Sequence, residues 1–174
     1  GNNAIAIGQK SNASAAKAPA IGSDTIASKQ STSAIGARAE ATKVGATSLG
    51  SWTQATGEYS IAVGGSDAQG RGANAGTLAS GSRSTAIGRN AKSTGADAVA
   101  LGTGAQATLT NSIAIGKNSV ATGVNNIAKN PVDVGNAVAI GPGEQAEGED
   151  SVAIGVSAGA NLTHATTKHR LARG

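Results

Sequence analysis

Asn111-Ser112-Ile113-Ala114-Ile115-Gly116 recurs in close variants down the chain at a fixed interval. Its terminal glycine falls at Gly8, Gly22, Gly36, Gly50 and Gly64, then at Gly88, Gly102 and Gly116, then at Gly141 and Gly155; within each group, neighbours stand 14 residues apart. A short fixed period of this kind means one structural rung per repeat, stacked along an axis. The residue before the glycine is always branched and aliphatic: Ile7, Ile21, Ile35, Leu49, Val63, Ile87, Leu101, Ile115, Ile140 and Ile154. One step earlier it is small, with Ala6, Ala20, Ala34, Ser48, Ala62, Ala86, Ala100, Ala114, Ala139 and Ala153. Another step back it is mostly β-branched, as at Ile5, Ile61, Thr85, Val99, Ile113, Val138 and Val152. Side chains alternate across a strand, so this segment presents a large-apolar face and a small-apolar face, neither of which favours water.

Five residues after the glycine stands an alanine, as at Ala13, Ala27, Ala41, Ala55, Ala107, Ala121, Ala146 and Ala160, usually between polar neighbours such as Gln106 and Thr108. This pattern predicts a second strand with one small-residue face and one wet face. Two strands and two turns make a flattened coil, with neighbouring coils about 4.8 Å apart. The recurring glycine is expected to supply a positive-φ turn or a close approach of chains. On this reading the branched column is the core of the roll, packed against the alanines of the second strand, large against small. The small column, represented by Ala6, Ala34, Ala62, Ala86, Ala100, Ala114, Ala139 and Ala153, then faces outward against another copy of the chain. The reverse assignment, with Ile and Val at the subunit contact and Ala inside the roll, is the alternative.

The 174 residues include 26 Gly, three Pro, one Trp and one Tyr, with no Phe, Met or Cys. Most of the 39% hydrophobic fraction is alanine, so an ordinary core of large side chains is excluded. Such a roll buries little area per residue against a backbone entropy cost of roughly 1–2 kcal/mol each, which calls for oligomerisation. Glycine does not recur every third residue, which excludes collagen, and the register kept by the aliphatic column argues against disorder. No run approaches about 18 apolar residues, the length of a membrane-spanning helix. The absence of cysteine removes disulfides, thiolate catalysis and Cys-ligated metals. A net charge of +4 without aromatic platforms or a clustered basic run argues against nucleic-acid binding. The chain begins in mid-pattern and reads as a piece of a longer protein, so targeting signals can lie outside it.

Residues 1 to 160 read as the roll, with irregular coils or loops near 65–76 and 117–136, where the interval between glycines stretches to 24 and 25 residues. Residues 161–174 read as a cap, a connector or a frayed end.

The stretch Asn111-Ser112-Ile113-Ala114-Ile115-Gly116-Lys117-Asn118-Ser119, with Asp150-Ser151-Val152-Ala153-Ile154-Gly155 and Arg83-Ser84-Thr85-Ala86-Ile87-Gly88, resembles the head repeats of YadA-like trimeric autotransporter adhesins of Gram-negative bacteria. The resemblance covers most of residues 1 to 160. It implies an all-β, left-handed parallel β-roll assembled as a parallel homotrimer, displayed on a stalk beyond the outer membrane. It also implies attachment to a host matrix protein or cell-surface receptor, without catalysis or cofactor.

Trp52 and Tyr59 occupy repeat positions that are otherwise polar or small. Either could anchor a partner, as could Arg71 in the first irregular interval, but an aromatic resting on neighbouring coils or on an adjacent subunit is the plainer reading. His164 and His169 lack a nearby third ligand for a metal. The Asn/Asp column before the first strand, as at Asn111 and Asp150, reads as turn chemistry rather than ion binding. An acyltransferase of the left-handed β-helix type would need a period near 18 and a histidine in a subunit cleft, whereas this period is 14 and both histidines lie in the tail. A spacer module of a longer surface fibre is the other non-adhesive reading.

Overall fold

Left-handed backbone conformations recur every seven residues and set the shape of the coil. The computed structural model describes residues 2–66, 76–122, 136–147, 150–157, 159–160 and 171–173. In it Asn3, Lys10, Lys17, Asp24, Ser31, Arg38, Gly45, Trp52 and Tyr59 all take φ between 53° and 68°. The same comb resumes at Arg83, Asn90, Asp97, Gly104, Asn111 and Asn118. Each is the third residue of a four-residue turn. Around Asn118 the Ser119 amide donates to Gly116 O at 3.3 Å, and around Asn111 the Ser112 amide donates to Leu109 O at 3.2 Å. A positive φ at that place is what a type II turn requires. The 14-residue repeat is therefore two seven-residue half-coils that share a left-handed turn position and differ in strand length and in the residue that closes the strand.

Between the turns lie strands of two or three residues. Those ahead of the glycines, such as Ile113–Ile115, stack into an 11-stranded parallel sheet, and those after them, such as Val120–Ala121, into a 10-stranded one. Like pairs with like, as in Ala34↔Ser48 and Ile35↔Leu49. The two irregular intervals leave the ladders unbroken, because Ile61 pairs with Thr85 and Gln54 with Leu78, then Ile113 with Val138 and Val120 with Gln145. The residues between, 67–75 and 123–135, lie outside the described ones. Leu171–Arg173 adds a last strand beside Val152–Ile154, with Ala172 opposite Ala153. The alanine column thus resumes inside the segment read from sequence as a cap, connector or frayed end.

The faces of the first strand are the reverse of the leading expectation. Ala34, Ala62, Ala86, Ala100, Ala114, Ala139 and Ala153 are fully buried inside the roll. Ile7, Ile35, Leu49, Ile87, Leu101 and Ile154 are exposed outside it, and Ile21, Val63, Ile115 and Ile140 are half-buried there. Ala6, in the first coil, is exposed. Turn width decides the matter. A four-residue turn brings its ends within about 7 Å, well short of the roughly 10 Å between ordinary packed sheets. Only small residues fit such a gap. The coil of Gly116 fills it with Ser112, Ala114, Ser119 and Ala121, all fully buried.

The enclosed hydroxyls find partners in turn carbonyls, as burial demands. Ser112 Oγ donates to Leu109 O at 2.7 Å, Ser119 Oγ to Gly116 O at 3.0 Å and Thr25 Oγ1 to Gly36 O at 2.8 Å. Among the described residues a larger side chain is enclosed as well: Glu144, in the column of Thr25, Thr53 and Ser119, is fully buried. The glycines close the first strand with φ of 121–149°. A Cβ on Gly36 would stand 2.6 Å from the carbonyl carbon of Gly50 one coil on, so the stacking distance itself requires glycine.

Candidate interaction surface

Because the roll is filled mostly by Ala, Ser and Thr, large aliphatics gather on the outer face of the first sheet. Two columns run side by side along it. One carries Ile5, Ile61, Val99, Ile113, Val138 and Val152 with Pro19, Ser33, Thr47 and Thr85; the other is the aliphatic column from Ile7 to Ile154. No charged side chain interrupts either column between those ends. The register holds across both irregular intervals, so the stripe is continuous over ten strands and roughly 45 Å. Ile7 at 57%, Leu49 at 44% and Ile154 at 45% exposure show how open it lies. A contiguous apolar surface of this extent marks a contact surface rather than ordinary scatter.

The outer face of the second sheet has the opposite character. Its strand positions carry Asn12, Glu40, Gln54, Lys92, Gln106 and Gln145 among the aliphatics Ile26, Leu78 and Val120, and beside them runs a hydroxyl column of Ser14, Ser28, Thr42, Thr56, Ser80, Thr94, Thr108 and Thr122. Gln54 Nε2 donates to Glu40 Oε2 one coil away at 3.3 Å. Such a face can form repeated, equivalent hydrogen bonds.

The turn corners carry ladders between successive coils. At one corner Arg38 Nε lies 3.8 Å from Asp24 Oδ2, and the Arg38 guanidinium stands 4.3 Å from the centre of the Trp52 ring. At the other corner Arg83 Nε and Nη2 each donate to Asp97 at 2.6 Å, and Asn136 Nδ2 donates to Asp150 Oδ1 at 3.0 Å. Hydrogen bonding from Arg83 holds the Asp97 carboxyl below its ordinary range, and the same bond raises Arg83. The Asn/Asp column thus occupies left-handed turn positions, with Asn111 and Asp150 at φ of 56° and 54°.

Trp52 and Tyr59 sit in the same left-handed positions, at opposite corners. Trp52 is half-buried under Arg38, whereas Tyr59 is 60% exposed and lays its ring over Gly45. Arg71, His164 and His169 lie outside the described residues. Among the described residues no three of His, Cys, Asp and Glu are grouped as a metal would need.

The model of the YadA head domain repeat matches residues 1–25, 27–50, 41–66, 79–105, 93–119, 110–129, 135–158 and 146–166. The chain belongs to the YadA head family. No curated protein gives a significant match. The matched segments of this YadA head contain both strand types, so the family pattern and the stacked coils describe the same residues. The seven-residue comb and the hydroxyl column were missed from sequence. Asn3, Asp24, Gly45, Asn90, Asp97, Gly104 and Asn111, all residues that tolerate left-handed backbone, carried the signal.

Proposed function

We propose that this YadA head works as a parallel homotrimer of left-handed rolls, in which three aliphatic stripes pack around one axis and the second-sheet faces look outward. The observation that carries it is the uncharged, exposed column from Ile7 to Ile154, which a single roll cannot cover. The contact is thus made by Ile, Leu and Val rather than by alanine. On the cell surface of a Gram-negative bacterium, carried by a membrane anchor, the trimer presents three copies of the hydroxyl and amide face to a host matrix protein or cell-surface receptor. Many equivalent weak contacts then add through avidity, with no deep pocket and no catalysis. Of the candidate ligand contacts read from sequence, Arg71 stays assigned to the ligand, and Trp52 and Tyr59 lie at the turn corners that bound the stripe.

The test is sedimentation mass in solution, followed by binding to a panel of matrix proteins that includes collagen, fibronectin and laminin. A three-chain mass with saturable binding to a panel member is expected. A monomeric mass at micromolar concentration would overturn the assembly, and a trimer that binds no panel member would overturn the adhesive role.

A further inference from the structure

We propose that Trp52 of one chain and Tyr59 of the next meet across the seam between subunits, seated by the Asp24–Arg38 ladder below Trp52. The inference rests on the three-fold assembly proposed above. Two turn corners bound the aliphatic face of each roll. Around a three-fold axis, one corner of each chain faces the opposite corner of its neighbour, the heterologous contact of a cyclic ring. Pure rotation adds no axial offset, so equal heights meet.

The seven-residue comb fixes those heights. Asp24, Arg38 and Trp52 line one corner, and Lys17, Ser31, Gly45 and Tyr59 line the other. Successive steps alternate between corners, which puts Trp52 midway between Gly45 and Tyr59 along the axis, and Asp24 midway between Lys17 and Ser31. The two edges complement each other. The Arg38–Trp52 stack, with its 4.3 Å separation, forms a ridge, while the opposite corner carries the small residues Ser31 and Gly45 beneath Tyr59. Tyr59 lays its ring down over Gly45, where a Cβ would stand 2.8 Å from Tyr59 Cε1, so the ring lies at the height where the neighbouring Trp52 arrives. At the base, Asp24 faces the exposed Lys17, opposite in charge.

Within one chain Trp52 meets the Arg38 guanidinium and Tyr59 lies over Gly45, on opposite corners of the roll. Trp52 and Tyr59 hold φ of 61° and 54°, where bulky residues are uncommon. The strand Gln54–Ala55 and its flanks keep them at least roughly 13 Å apart in the same chain. Across the seam they would form an aromatic pair extended by the Arg38 cation.

The chain has no cysteine, one Trp and one Tyr, so both probes are clean. The Trp52→Cys/Tyr59→Cys double variant, treated with a short bis-maleimide, should run as covalent trimer under denaturing conditions. Trp52→Cys/Asn111→Cys, whose thiols lie several coils apart in height, should not. Tyr59→Asn, which suits a left-handed position as Asn3 and Asn111 do, should shift Trp52 emission to longer wavelength while the native mass stays trimeric. A trimeric mass with no cross-linking at 52 and 59 and unchanged emission would overturn the seam and leave the three-fold assembly standing. A monomeric mass would overturn both.

Discussion

A glycine every 14 residues is dictated by crowding between coils as much as by backbone freedom. Gly36 has φ of +128°, and an added Cβ would lie 2.6 Å from the carbonyl carbon of Gly50. Neither strain nor contact can relax without parting the sheets, so Gly36→Ala is expected to cost about 2–4 kcal/mol in urea unfolding. The Arg83–Asp97 pair shows the opposite extreme. It is solvent-exposed, and its effect is expected in titration rather than in stability. Because the Asp97 pKa is lowered in the folded chain, the pair's contribution is present above the unfolded carboxylate range and is lost as the pH falls through the folded pKa. Carboxyl NMR of Arg83→Ala should show the Asp97 midpoint moving up toward the ordinary value of 3.8, and no movement would mean that Arg83 is not the cause. The recurring glycine was plain in the sequence. The comb of left-handed residues was not, since Lys10, Arg38, Trp52 and Tyr59 sit in it alongside the Asn, Asp and Gly that announce such positions.

At the scale of the strand, the alternation of Ile113, Ala114 and Ile115 gives two faces but does not say which is enclosed. Sheet separation supplies the answer, and it follows from turn length, which becomes visible only once both turns of the coil are known to be tight. Ala114→Leu places three extra carbons where the gap admits a methyl group, so it should destabilise the roll by about 1–3 kcal/mol or more, read from the urea midpoint. Were Ala114 on the outside, the same change would be nearly silent. Glu144 tests the interior from the other direction. A carboxylate enclosed among Ala, Ser and Thr carries a desolvation cost, and Thr is what Thr25 and Thr53 already place in that column. Glu144→Thr should therefore raise the melting temperature, by a change worth about 1 kcal/mol or more; a fall would show that the interactions of Glu144 outweigh its desolvation.

For the whole molecule, the interior and the stripe divide the work of folding. An interior of Ala, Ser and Thr removes little apolar area from water, while the largest side chains remain on the outer face of the first sheet. In the proposed trimer folding and assembly are linked: chains that gain much of their burial by association melt at a temperature that rises with protein concentration. A charge in the middle of the stripe attacks that coupling directly. Ile115→Asp leaves the coil path and every turn unchanged, yet sets three carboxylates facing one another around the axis of a trimer, where desolvation and mutual repulsion act together. The expected result is a shift of sedimentation mass from trimer toward monomer, a melting temperature that falls at every concentration, and matrix binding weakened by about 10²-fold or more as avidity is lost. Thr108→Asp, on the polar face of the second sheet, is the control: it should leave mass and melting unchanged, because Thr108 is partly open to water in the single chain and the proposed trimer turns that face outward. If Ile115→Asp behaves as Thr108→Asp does, the aliphatic stripe is not the surface through which the chains join.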